Sequence, residues 1–216
     1  MIDLRMPRWY HRRVFTDIFR RNAWGSAESV SGPGSTRARG ASISADIIDL
    51  LRRIGARSLL DAPCGDFNWI GGVADSVERY AGVDIVAELI ADHRRRHGDA
   101  RRTFLCADFT RDALPAADVI FCRDALVHFS YADIRAALRN FRRSGSRYLL
   151  TTTFIAHGLN RNIRTGGWRM LNLEHAPFGF PAPMALIDER RPLADGSDSG
   201  KRLALWELGA LTFAPS

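Results

Sequence analysis

Two residues near the middle of the chain combine types that can move a proton. Asp124 and His128 stand four apart in R-D-A-L-V-H, residues 123 to 128. On a helical turn that spacing puts both side chains on one face, and a histidine oriented by a carboxylate is a general base at neutral pH. The stretch from Phe154 to Pro183 adds His157, Glu174 and His175, together with Asn160, Asn162, Trp168 and Asn172. A connection this long without periodicity is functional or disordered. Its amides suit ring hydroxyls and its aromatic suits the apolar face of a ring, so a polyhydroxylated ligand such as a sugar is expected. The same residues admit a second chemistry, in which Asp124, Glu174 and a histidine hold Mg²⁺ and acidify a hydroxyl. The sequence leaves the two open.

These groups need strands to carry them. Leu59 and Leu60 close a strand that begins near Ala56, with Asp61 at its carboxyl end, and Ala62, Pro63, Cys64 and Gly65 follow as a turn with little side-chain bulk. A second strand, Tyr80 to Ile85, carries Asp84 at its tip, where a carboxylate can accept both hydroxyls of a ribose. A third strand, Thr103 to Cys106, is followed by Asp108 and Phe109, and a fourth, Val119 to Cys122, delivers Arg123 and Asp124. In an open parallel sheet these tips share one edge, outside which ligands bind. There is no G-x-G-x-x-G, which argues against a dinucleotide fingerprint.

The runs D-A-P-C-G-D, G-V-D-I, C-A-D-F-T and D-V-I-F-C-R-D-A-L-V-H-F resemble, in order and spacing, motifs one to four of the class I S-adenosylmethionine-dependent methyltransferases, over roughly residues 43 to 153. The resemblance implies a single Rossmann-like α/β domain, a doubly wound seven-stranded sheet closing with an antiparallel C-terminal strand pair, and S-adenosylmethionine as cofactor. It places Asp61, Ala62, Pro63, Cys64, Gly65 and Trp69 at the first motif and Asp84 with Ile85 at the ribose. Asp108 would bond the adenine amino group, with Phe109 as stacking partner and Arg123 at the fourth tip. The first motif departs from the commoner acid-x-Gly-x-Gly form, so the methionine end would be held somewhat differently. The Ser- and Gly-rich stretch from Trp24 to Ser35 resembles a segment of bacterial methyltransferases found among polysaccharide and cell-envelope enzymes. With Trp24, Ser31 and Ser35 it would cover the cofactor. The reaction so implied is methyl transfer to a hydroxyl of a sugar or oligosaccharide. Its rivals are methylation of another small molecule, and a methyltransferase-fold module that binds without turnover. Methylation of a nucleic-acid base would call for an N/D-P-P-Y/F type motif where C-R-D-A-L stands.

At 216 residues the chain is expected to form one structural domain, with residues 1–41 as an N-terminal helix and covering loop and 42–216 as the methyltransferase domain. Amphipathic helices are predicted over Trp9 to Asn22, Ser42 to Ile54, Phe67 to Val77, Val86 to His97 and Tyr131 to Phe141, a fifth strand over Tyr148 to Thr153, and a hairpin from Met184 to Glu189 and Leu203 to Leu208 around D-G-S-D-S-G. The first helix would lie against the domain or against a second subunit in a homodimer. His93 and His97, among three arginines, read as surface residues. The formal charge of +7 comes from arginines scattered over helices, with a single lysine, Lys201; solvated helix faces explain it better than a nucleic-acid partner. Three cysteines without C-x-x-C spacing read as reduced thiols. With no apolar run long enough to span a membrane and no signal-peptide pattern, a cytoplasmic location is expected.

Overall fold

The computed structural model describes residues 7–189 and 199–212. Five parallel strands form the body of the sheet because their apolar runs are covered on both faces: β1 (Ser58–Asp61), β2 (Arg79–Asp84), β3 (Arg102–Cys106), β4 (Val119–Cys122) and β5 (Tyr148–Phe154). Every residue of β1, β4 and β5 is buried, as a doubly covered parallel sheet demands. Two further strands, β6 (Ala185–Asp188) and β7 (Lys201–Glu207), complete the order β3-β2-β1-β4-β5-β7-β6, with β7 antiparallel to both neighbours. The fold is therefore the Rossmann-like seven-stranded methyltransferase sheet with an antiparallel C-terminal pair, and the strand order reverses between β1 and β4, where such sheets open their ligand crevice. The expected D-G-S-D-S-G hairpin tip lies mostly outside the described residues.

Helices α2 (Arg37–Arg53), α3 (Gly71–Asp75) and α4 (Ala87–Arg96) cover one face, and α5 (Tyr131–Arg143) covers the other. Helix α2 starts five residues before the expected Ser42, because Thr36 caps it by accepting from the Arg39 amide at 3.4 Å. Gly40 lets Trp69 lie against this helix: a Cβ there would stand 2.4 Å from the indole. Helix α3 is much shorter than the expected Phe67 to Val77, since Phe67 takes a left-handed φ of 56° and ends any helical path before Gly71. Helix α5 carries its own cap, the Ser130 hydroxyl accepting from the Asp133 amide at 3.2 Å.

Helix α1 (Arg8–Arg20) packs on the α5 side through Phe15, whose ring stacks on Phe129 at 5.0 Å. His93, expected on the surface, is only 2% exposed. Its imidazole lies among Phe67, His97 and Phe104 and donates from Nε2 to the Gly65 carbonyl at 2.7 Å. The error has a simple cause: the neighbouring arginines point outward while position 93 falls on the face of α4 that meets the sheet.

Candidate active site

The strand tips converge on one cleft. It has a volume of about 390 Å³, and Asp61, Asp84, Asp108, Arg123, Asp124 and His128 all line it. The turn after β1 forms its floor. Gly65 has φ of 52°, and a Cβ there would stand 2.3 Å from the Ser31 hydroxyl, so only glycine allows this approach. The Gly65 peptide is held from both ends, its amide donating to Asp84 Oδ2 at 3.2 Å and its carbonyl accepting from His93. Asp84 Oδ1 accepts from the Val86 amide at 2.9 Å, which fixes the carboxylate's plane at the tip of β2.

Burial dominates the two acids nearest this turn. It raises Asp84 above its ordinary value, against hydrogen bonds from the Val86 and Gly65 amides. It pushes Asp61 up to about 8, although the Tyr80 hydroxyl donates to its Oδ2 at 2.7 Å and Arg123 partly offsets the effect. A carboxyl in that condition gains its charge when a cation arrives. The residues present therefore fit a ligand bearing an ammonium group and vicinal hydroxyls, as S-adenosylmethionine does.

The segment 24–35 bends over the same cleft. Trp24, Val30, Ser31, Gly32, Pro33, Gly34 and Ser35 line it, and Ser31 Oγ accepts from the Asp66 amide at 2.9 Å. Arg123 ties the segment to β4 by donating to the Gly34 carbonyl at 2.9 Å. Cys64, Trp69, Ile85 and Phe109 also line the cleft, whereas Ala62 is fully buried beneath it. Pro63 completes the floor.

At the far end stands a buried charge cluster. Arg123 and Lys201 both donate to Glu189 Oε2, at 2.6 and 2.9 Å, and Lys201 Nζ reaches Asp124 Oδ2 at 2.7 Å. Asp124 adopts φ of 51°, an uncommon backbone for a residue with a side chain, held by its amide donating to Thr152 Oγ1 at 2.8 Å. Burial works against its charge, but Lys201 and Arg123 outweigh that and hold Asp124 well below the usual carboxylate range. It stays ionised.

The expectation that Asp124 orients His128 on one helical face does not hold. The left-handed Asp124 and the 3₁₀ turn Leu126–His128 break the i, i+4 geometry, and His128 Nδ1 donates instead to the Gly167 carbonyl at 2.8 Å. Burial lowers the His128 pKa below 6.5. The imidazole is therefore neutral at pH 7 with its proton on Nδ1 and a lone pair on Nε2, and its ring lies 5.0 Å from Trp24. Arg169, 2% exposed, holds this turn by donating to the carbonyls of Leu126 and Phe129 at 2.9 and 2.8 Å.

Three expected catalytic residues are not brought to the cleft. His157, Glu174 and His175 do not line it; His175 is exposed and its Nδ1 donates to Gly158 O at 2.8 Å. Asn160 and Asn172 instead hold this segment to itself, Asn160 Nδ2 donating to the Asn172 carbonyl at 2.7 Å. Of the long connection, Trp168 alone lines the cleft. Asp124 and Glu174 are thus not gathered for Mg²⁺, and among the described residues no group of three or more His, Cys, Asp or Glu could hold a metal ion.

Sequence reasoning missed His11, Phe15 and Phe19 of α1, which line the cleft at the Asp108 end. His11 is fully buried, its Nδ1 donating to Asp108 Oδ2 at 2.9 Å and its Nε2 lying 3.2 Å from Asp133 Oδ2. Burial opposes its charge, but hydrogen bonds to the two acids and their fields raise it to about 9. Asp108 is thereby already occupied: Oδ2 faces His11, and Oδ1 accepts from the Thr110 amide and hydroxyl at 2.9 and 2.6 Å. Since His11 is raised, its contribution to docking α1 is full below about pH 6.5 and is lost as pH rises through about 9. Amide exchange over Tyr10–Arg20 is expected to accelerate beyond its intrinsic pH dependence between pH 7 and 10. The extra acceleration should be absent from His11→Phe; full protection of the wild type at pH 10 would show that the apolar face alone holds the helix.

Comparison with known proteins agrees with this architecture. Residues 59–145 match the family model described as a methyltransferase domain. No curated protein sequence matches the chain. Among solved structures, the N-methyltransferase NodS from Bradyrhizobium japonicum WM9 is similar at TM-score 0.54 and 12% identity, over 79% of this chain and 96% of its own. NodS in complex with S-adenosyl-L-homocysteine is similar at TM-score 0.52 and 12% identity, over 65% and 73% respectively. The methyltransferase domain of bacterial CtHen1 matches at TM-score 0.47 and 14% identity over 53% of this chain, which spans 66% of that domain's length. The domain match and the strand order place the chain among proteins of the methyltransferase fold.

Proposed function

We propose that the chain is an S-adenosylmethionine-dependent O-methyltransferase whose acceptor is a hydroxyl of a sugar or oligosaccharide. The observation that carries this reading is His128, neutral at pH 7, its tautomer set by Gly167 O and its ring on the wall of the cleft. A sugar hydroxyl is a poor nucleophile while protonated, so a positioned base is required.

When bound, S-adenosylmethionine supplies a methyl group on a sulfonium that is already activated for displacement. The chain's own residues do the rest. The Gly65 turn and Asp61 receive the methionine end, and Asp84 accepts the ribose hydroxyls. His11, Phe15 and Phe109 close the adenine end, while the segment 24–35 covers the ligand and keeps water out. His128 Nε2 takes the proton of the attacking hydroxyl, and ionised Asp124 accepts a second hydroxyl of the same sugar, so that the ring cannot turn. Trp24 and Trp168 offer aromatic walls for its apolar face. An amine acceptor is the second reading, favoured by the ionised Asp124 carboxylate beside the base.

The test is transfer of a labelled methyl group to a panel of oligosaccharides and aminated analogues, with calorimetry of S-adenosyl-L-homocysteine alongside. Labelled methyl ethers support the reading, label on nitrogen selects the amine, and failure to bind S-adenosyl-L-homocysteine sinks both. For the ribose contact, Asp84→Asn is expected to weaken S-adenosyl-L-homocysteine about 10- to 100-fold, the range for losing hydrogen bonds to a charged acceptor. Unchanged affinity would remove Asp84 from the site.

A further inference from the structure

A second depression lies outside the cleft, between α1 and residues 163–168, with a volume of about 1320 Å³. Its two walls are stitched together. Arg164 lies over the Tyr10 ring at 5.2 Å and donates from Nε to its hydroxyl at 2.7 Å, and that hydroxyl donates to the Thr165 carbonyl at 3.2 Å. Gly166 allows the close approach: its φ is 102°, and a Cβ would stand 2.6 Å from Val14 Cγ1.

The character of this groove is basic and aromatic. Arg12, Arg13, Arg20, Arg21 and Arg164 line it together with Asp17 and Glu88, and the exposed indoles of Trp9 and Trp168 belong to its lining. Arg20 is paired with Glu88, Nε to Oε1 at 2.9 Å, and Arg21 is paired with Asp17. Arg12 and Arg13 have no carboxylate partner among the described residues, and both are exposed. Trp168 lines both the groove and the cleft, so the two adjoin at its ring.

We propose that this groove binds an anionic saccharide strand and leads its acceptor unit past Trp168 to the cleft; the proposal rests on the saccharide reading above and names its substrate class as acidic. A concave trough fits an extended chain, whereas a flat bilayer cannot enter it. The pattern of charge also separates a saccharide from a nucleic acid. A phosphodiester presents a negative charge at every residue and prefers an uninterrupted basic track. Here two carboxylates already neutralise Arg20 and Arg21, so the basic track is interrupted and the cations without a carboxylate partner among the described residues are Arg12, Arg13 and Arg164. Isolated carboxylates of uronic-acid units answer those cations, and indoles cover the apolar faces of sugar rings as they cover other apolar surface.

The full-length chain should be titrated by calorimetry with oligogalacturonate, with neutral dextran oligomers of equal length, with a single-stranded oligonucleotide, and with vesicles containing phosphatidylglycerol. Oligogalacturonate is expected to bind most tightly. In the Arg12→Glu/Arg13→Glu double variant its affinity should fall at least tenfold, while S-adenosyl-L-homocysteine affinity stays unchanged. Equal binding of dextran and oligogalacturonate, an undiminished double variant, or a preference for the oligonucleotide or the vesicles would overturn the proposal. Because the readout is binding, it is separable from methyl transfer. Oligogalacturonate binding without S-adenosyl-L-homocysteine binding would leave the groove standing and remove the function proposed for the cleft.

Discussion

Replacing His128 by alanine is expected to lower turnover by about 10²- to 10⁴-fold, the range for a general base, while S-adenosyl-L-homocysteine affinity changes little. The reason is geometric. The imidazole's Nδ1 proton is committed to Gly167 O, so Nε2 is the ring atom that can accept from a substrate. The pH profile adds a second readout. His128 lies below its ordinary value of 6.5, and the base form is the active one. Wild-type kcat at saturating cofactor should therefore fall as pH drops through a value below 6.5, and this limb should vanish in the alanine variant. A His128→Ala enzyme with unchanged turnover would remove the residue from catalysis. A lost turnover with the acid limb still present would assign that limb to another group.

Lys201→Met is expected to have the largest effect on stability, about 3–5 kcal/mol, the cost of leaving a buried charge without its partner. Against a total stability of roughly 5–15 kcal/mol, that is a large share. Lys201 is 2% exposed and bridges Asp124 and Glu189, so its loss leaves two carboxylates at the carboxyl edge of the sheet to share the single cation of Arg123. Denaturant midpoints measure the loss. A double-mutant cycle with Asp124→Asn tests its origin: the two substitutions together should cost less than their sum, since removing the carboxylate's charge removes part of the penalty. Additive effects would show that the pairing with Asp124 is not the origin of the loss. The chain's single lysine drew attention in the sequence only as a count. Its meaning came from the place where β7 begins.

The strands and their tips were legible because the signal is local. The leucine pair of β1 and the apolar run of β4 read as strands, an acid or small residue marks each tip, and parallel strands must point their carboxyl ends to the same edge. Asp61, Asp84, Asp108 and Arg123 therefore line one cleft as an outcome of chain order and handedness, with no further information needed. Helix lengths were less legible where a single residue changed the backbone, as Phe67 does before α3 and Asp124 does after β4. A left-handed φ at a non-glycine residue is set by what holds it in place, here Thr152 and Lys201, neither of them near Asp124 in sequence.

The long connection shows the same division. Its Asn, His and Glu residues marked it as polar and irregular, yet three of them turned out to brace the segment itself, while Trp168 reached the cleft and Gly167 supplied the carbonyl for His128. By itself, then, the sequence determined the sheet, the edge on which the acids meet and the turn a cofactor can approach, because these follow from periodicity and strand direction. Which histidine faces the cleft, which acid keeps its charge and what closes the cleft beside Asp108 were decided only by tertiary structure. Each depends on a partner far away in the chain: Gly167 for His128, Lys201 for Asp124, and His11 for Asp108. Hydrogen bonds and ion pairs between such residues leave no periodic trace, and only the folded packing brings their atoms within reach.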